Sequence, residues 1–262
     1  MHFNRKVQNM DLELSGKKVL ITGSTKGIGL AIARSFAKEG CELVLVARTG
    51  ALLTEAAASI ESTFGTSVTT IAADLSDPHI FHHVAEESGG MDILVNNAGA
   101  IPPGNLLGTG IADWKRAWDL KVFGYIGLTQ ACYPDLASRR GVVVNIIGAA
   151  GSHPQPAYIA GSSGNAALMS FTTGFAQEAR QDGVRVVGVN PGPVSTERFR
   201  MLLQAQAERE FGTSRRWPEL MASLPFGRAA RPEEIADTVV FLSSARSTYT
   251  SGAIVAIDGA MA

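Results

Sequence analysis

The sequence predicts an α/β fold, one parallel sheet wound on both faces by helices. Two observations carry this expectation. Short apolar runs alternate with helical patterns almost to the C-terminus, the pattern from which parallel sheets are built. The first of those runs also passes directly into a glycine-rich turn that opens a helix.

The elements follow in order. Lys18–Ile21 is an apolar strand, and the helix Gly27–Lys38 carries its apolar stripe on Leu30, Ile32, Ala33, Phe36 and Ala37. Strand Glu42–Ala47, helix Ala51–Phe64, strand Val68–Ala72 and helix Pro78–Ser88 repeat the alternation. Strand Ile93–Asn96 leads to a long helix, Trp114–Arg139, with Asp113 as its expected cap. Strand Val142–Ile147, helix Tyr158–Asp182 and strand Arg185–Asn190 come next, and helix Pro232–Ser243 and strand Ala253–Ile257 close the chain. Glu197–Gly227 departs from this pattern. It is polar, Arg-rich and broken by Gly212, Pro218 and Pro225, and it reads as a helical flap inserted before the last helix.

Bulk properties narrow the function. A chain of 262 residues without repeats or linker-like stretches is expected to form one domain, 1–262. A net charge of −1 offers no electrostatic case for nucleic acid or an anionic membrane surface. The polar segment Met1–Glu13 lacks the apolar core of a signal peptide, and no apolar run is long enough to span a bilayer, so a cytoplasmic protein is expected. Cys41 and Cys132 sit in apolar segments and are expected as reduced, buried thiols. His2, His79, His82 and His83 have no metal-ligand spacing, and no metal is expected.

The turn after the first strand is the strongest chemical signal. Gly23, Gly27 and Gly29 allow tight turning and close backbone approach, and the free N–H groups of the following helix favour a pyrophosphate. The segment Thr22-Gly23-x-x-x-Gly27-Ile28-Gly29 resembles the cofactor loop of the short-chain dehydrogenases/reductases. The match continues through Asn96-Asn97-Ala98-Gly99, Trp114, Tyr158, Asn190-Pro191-Gly192 and Asp258-Gly259, spanning about residues 14–262 in the family's order.

This resemblance implies a Rossmann-like doubly wound sheet and a nicotinamide dinucleotide. It implies cofactor contacts from Gly23, Ser24, Thr25, Lys26, Gly27, Ile28 and Gly29. Asp74 and Leu75 would lie at the adenine, and Asn96, Asn97, Ala98 and Gly99 beside the cofactor. The turn through Pro191, Gly192, Val194 and Thr196 would lie at the nicotinamide. The second strand ends Val46-Ala47-Arg48 without the acid that would accept from the ribose of NAD. Arg48 and Lys26 suit a 2′-phosphate instead, so NADP(H) is expected in preference to NAD.

The catalytic centre departs from the family pattern of Asn, Ser, Tyr and Lys. Tyr158 is present, but Ser162 stands where the lysine is expected, Gly148 where the serine is, and Lys121 where the asparagine is. A free phenol, with a pKa of about 10, is a poor base at neutral pH and benefits from a nearby cation. The expectation is therefore a relocated charge: Tyr158 as acid/base, Lys121 as its electrostatic support, and Ser162 on the cofactor ribose. At the substrate, Gly148 removes a hydroxyl, which Ser152 or His153 would replace.

Ala100–Gly110, Ala149–Ala157 and the flap should set substrate choice. Phe199, Met201, Leu202, Leu203, Phe211 and Trp217, with Arg198, Arg200, Arg215 and Arg216, suit an apolar or aromatic substrate that carries, in some cases, a carboxylate. The resemblance implies a homodimer or homotetramer built on the Trp114 and Tyr158 helices. The functional expectation is interconversion of a secondary alcohol and a ketone by hydride transfer. Its alternatives are a non-catalytic dinucleotide-binding regulatory protein and a lyase or isomerase that uses the cofactor transiently.

Overall fold

A computed structural model describes residues 10–261; Met1–Asn9 of the polar N-terminal segment, His2 included, lie outside the described residues, as does Ala262. Seven strands form one sheet: β1 (Lys18–Thr22), β2 (Glu42–Ala47), β3 (Val68–Ala72), β4 (Ile93–Asn96), β5 (Val142–Ile146), β6 (Arg185–Pro191) and β7 (Ile254–Ile257). Their spatial order is β3-β2-β1-β4-β5-β6-β7, and every pair is parallel.

Side chains alternate across each strand, and both faces are covered, so these strands read as unbroken apolar runs. Val19 and Ile21 pack with Ile32 and Phe36 of α1 (Gly27–Lys38), Leu53 and Ile60 of α2 (Gly50–Phe64), and Ile235 and Val239 of α8 (Pro232–Ser243). Leu20 points the other way, toward Val84 of α3 (Phe81–Glu87) and Leu128 and Leu136 of α5 (Gly124–Arg139). Ala176 and Ala179 of α6 (Ile159–Ala179) share that second core. Cys41 and Cys132 are buried and free, and burial pushes both thiols up to about 12.

The long helix after β4 differs from expectation. It begins at Ile111 with Gly110 as its N-cap, and it is interrupted. α4 (Ile111–Trp118) passes through a π-helical segment, Asp119–Phe123, into α5. Asp113 therefore lies inside the first turn, where it pairs with Arg116 and favours the helix dipole instead of capping. Tyr158 caps α6 instead of opening it. The flap is helical: α7 (Glu197–Phe211), then 3₁₀ turns over Ser214–Ser223 and Pro225–Gly227.

The winding direction reverses between β1 and β4. Such switch points leave a crevice at the C-terminal strand ends, where open α/β sheets bind ligands. Among the described residues no helix is long and apolar enough to cross a membrane, and no metal-binding cluster occurs.

Candidate active site

The crevice opens as a cleft of about 810 Å³. One wall is the glycine turn, with Gly23, Thr25, Lys26, Gly27 and Ile28 facing it. Gly23 and Gly27 take φ of +64° and +56°, a left-handed conformation that glycine adopts without strain. A Cβ at Gly29 would fall 2.2 Å from the Gly23 carbonyl oxygen, so the turn closes on itself only with glycine there. Lys26 caps α1 with extended backbone and no side-chain cap, leaving the first-turn N–H groups free for an anion.

Arg48, Leu75, Asn97, Ala98, Gly99 and Thr196 also line the cleft. Asn97 Nδ2 donates to Thr22 O (3.0 Å) and Gly23 O (3.2 Å), which ties the end of β4 to the turn. Cleft size, the uncapped helix start and the close-packed glycines together fit a dinucleotide with its diphosphate on α1.

Several of the residues expected at the cofactor hold the scaffold together. Ser24 is buried, its hydroxyl donating to Val46 O (3.4 Å), and Gly29 lies beneath the turn. Asn96 is fully within the sheet, where its amide donates to Thr129 Oγ1 and Asn145 Oδ1, both at 3.0 Å. Asp74 does not line the cleft; Ala73 and Leu75 do, because its carboxylate accepts from the Ser76 hydroxyl (2.8 Å) and amide (3.1 Å). Burial opposes ionisation of Asp74, but Ser76 and then Arg48 hold its carboxyl below the usual range. Pro191, Gly192 and Val194 are footings also: Gly192 N donates to Ile257 O (3.0 Å), and Val194 is buried in the core. Lys26 leans toward the flap, 3.6 Å from Glu197, so Arg48 is the cation left at the end of β2.

A smaller chamber of about 270 Å³ adjoins the cleft and shares Gly99, Arg198 and Leu202 with it. Ile101, Lys121 and Tyr158 complete its wall. Lys121 lies in the π-helical segment, a distortion often found at functional sites. Its Nζ donates to Ile147 O at 2.6 Å, and one turn later the Tyr125 hydroxyl donates to Ile146 O at 2.9 Å. These two side chains satisfy successive carbonyls at the end of β5. Burial, then repulsion from Arg198, lowers the Lys121 ammonium to about 8.

Tyr158 packs with Ile101, Trp114 and Trp118. Its ring folds back over its own helix, so a Cβ at Gly161 would fall 2.0 Å from ring atoms Cε1 and Cζ. Burial raises the Tyr158 phenol, and the Arg198 guanidinium partly opposes that shift.

The chamber thus brings Tyr158 and Lys121 together and adds Arg198. Sequence reasoning had grouped Arg198 with three other flap arginines, and its place two residues after Thr196 is the signal that singles it out. Arg216 instead forks onto Glu219 (2.7 and 2.6 Å) and lies over Phe211. Ser162 is buried, and its hydroxyl accepts from Gln155 N (3.0 Å), bracing the loop before Tyr158. Gly148 and His153 line neither cavity. Gly148 sits at φ +130°, where a Cβ would come within 2.8 Å of Asn165 Nδ2, and His153 is exposed on its loop.

Known proteins resemble this arrangement along nearly the whole chain. The short chain dehydrogenase family model matches residues 17–207. L-Sorbose reductase from Gluconobacter frateurii, solved with NADPH and L-sorbose, superposes with a TM-score of 0.91 at 36% identity over 96% of this chain and 98% of that one. Galactitol 2-dehydrogenase (L-tagatose-forming) of Cereibacter sphaeroides is 32% identical over 94% of this chain and 95% of its own. An NADPH-bound short chain oxidoreductase of Pseudomonas aeruginosa PAO1, described as containing an atypical catalytic center, gives a TM-score of 0.85 at 28% identity over 94% and 96% of the two chains. With the family model matching residues 17–207 and relatives of 32–36% identity covering nearly the whole chain, this chain belongs to the short-chain dehydrogenase/reductase family of oxidoreductases.

Proposed function

We propose that this chain is an NADP(H)-dependent oxidoreductase that interconverts a secondary alcohol and a ketone by hydride transfer. The observation that carries this reading is the junction of the two cavities, the cleft over the glycine turn opening onto the Tyr158 chamber across Gly99, Arg198 and Leu202. The bound nicotinamide dinucleotide supplies or accepts the hydride. The start of α1 holds the diphosphate, and Arg48 recognises the 2′-phosphate, in line with the NADPH held by two of the similar structures.

Tyr158 exchanges the proton at the substrate oxygen. A phenol is protonated at neutral pH, and burial reinforces this, so Tyr158 is suited to act as the acid in ketone reduction. Lys121 supplies the positive charge that the family places four residues after the tyrosine, where this chain has Ser162. That charge joins the Arg198 guanidinium, which already opposes the effect of burial on the phenol, in stabilising the phenolate left once the proton has gone. Ile101 and Leu202 give the chamber an apolar side suited to an apolar or aromatic substrate. We also read the protein as a cytoplasmic homodimer or homotetramer assembled through α5 and α6; a single-chain mass in analytical ultracentrifugation would contradict the assembly.

The test is a panel of ketones and alcohols followed by nicotinamide absorbance with each cofactor. The expected result is turnover of at least one ketone, faster with NADPH than with NADH. Tight NADPH binding without turnover of any compound would overturn the reading in favour of a regulatory protein.

A further inference from the structure

The reaction chamber carries two cations, and the protein supplies no anion to either. Lys121 Nζ donates to the Ile147 carbonyl, and Arg198 donates through Nη2 to the Ile101 carbonyl. Neither forms an ion pair with a carboxylate among the described residues. The adjacent flap acid, Glu197, is turned toward Lys26. The two charges repel each other, and this adds to burial in lowering the Lys121 ammonium. Like charges facing one small cavity disfavour each other unless a ligand brings the counter-charge.

The Arg198 arrangement also suits a particular anion. A guanidinium has five donors, and anchoring to the Ile101 carbonyl uses one side of the fork while fixing its orientation. The remaining N–H groups match the paired oxygens of a carboxylate. Tyr158 stands in the same 270 Å³ chamber, so carboxylate and reacting carbonyl would belong to one small molecule.

We propose that the chamber takes a keto acid, or the corresponding hydroxy acid, with its carboxylate held by Arg198 and Lys121 and its carbonyl oxygen at Tyr158. This rests on the oxidoreductase reading above and names its substrate class. In the reducing direction the carbonyl π bond breaks. The carbon gains hydride as NADPH becomes NADP⁺, and the oxygen gains the Tyr158 proton.

An anionic group at Arg198 has a second source, since Arg198 also lines the cofactor cleft and would reach a diphosphate. Calorimetric binding to the protein saturated with NADP⁺ separates the two, with phenylglyoxylate and its neutral methyl ester as probes. The acid is expected to bind at least about tenfold more tightly than the ester, the scale of one hydrogen bond to a charged group. Arg198→Gln should abolish that preference and Arg198→Lys restore part of it. Arg198 is exposed, so both variants are expected to fold, and their melting temperatures verify it.

Equal binding of acid and ester by the wild-type protein would overturn the proposal, as would a preference that survives Arg198→Gln. Weaker NADP⁺ binding in Arg198→Gln with the acid preference intact would also overturn it and assign the guanidinium to the diphosphate. Acid preference without turnover of any compound would count against the oxidoreductase reading alone, because binding is read here without chemistry.

Discussion

Replacing Lys121 with Met separates the two consequences of placing an amine in the Tyr158 chamber. Met keeps most of the length of the side chain and removes the charge and the bond to Ile147 O. The ammonium lies at about 8 in the fold against its ordinary 10.5. Between those values the unfolded chain binds more protons than the folded one, so stability rises with pH through that window and is deficient below it. The shift corresponds to about 3 kcal/mol. Urea titrations at pH 7 and pH 10.5 should therefore show wild-type stability gaining about 3 kcal/mol relative to Lys121→Met across the window. The loss of the Ile147 bond is common to both pH values and cancels in that difference. Turnover should fall roughly 100-fold in the variant, the scale of acid–base support. Wild-type activity should decline above about pH 8, as the charge is lost, with an inflection the variant lacks. A stability difference independent of pH would show that the amine is not desolvated, and unchanged turnover would refute its support of Tyr158.

Three other substitutions probe the site. Gly161→Ala should cut turnover by about 100-fold, since the added methyl occupies the space of the Tyr158 ring and small displacements of a catalytic group are costly; cofactor binding, measured by NADPH fluorescence, should remain. Gly148→Ser, which restores the family residue, should lower the melting temperature through roughly 1–3 kcal/mol of backbone strain at φ +130° and should not raise turnover. Arg48→Ala should weaken NADPH binding at least about tenfold, the worth of a hydrogen bond to a charged group, while leaving NADH binding nearly unchanged, as equilibrium fluorescence titrations can measure.

Most of the fold was legible because strands buried on both faces appear as continuous apolar runs, and Lys18–Ile21 runs into a turn whose glycines have a steric reason. The π-helical segment at Asp119–Phe123 was not legible. One extra residue in a helical turn changes no composition, yet it sits where Lys121 enters the chamber. The cap at Asp113 failed because a carboxylate near a helix start serves equally well inside the first turn.

Within the site, residue type indicated chemistry more reliably than it indicated direction. Tyr158 and Lys121 were found from family positions and share a cavity. Ser162 was assigned from the family's lysine position and His153 from its place in the loop before Tyr158; the Ser162 hydroxyl is engaged by a loop amide and His153 faces solvent. Arg198 was hidden among the five arginines of the flap. Its place two residues after Thr196 is a sequence signal, and the packing of α7 against the β4 loop, through its bond to Ile101 O, sets it in the chamber.

The account rests on the Tyr158 phenol as the proton-exchanging group beside a bound nicotinamide. Steady-state reduction of a ketone by the Tyr158→Phe variant at saturating NADPH tests this most directly. Loss of at least about 100-fold in kcat with unchanged NADPH affinity is the predicted result. A variant that retains wild-type kcat would contradict it.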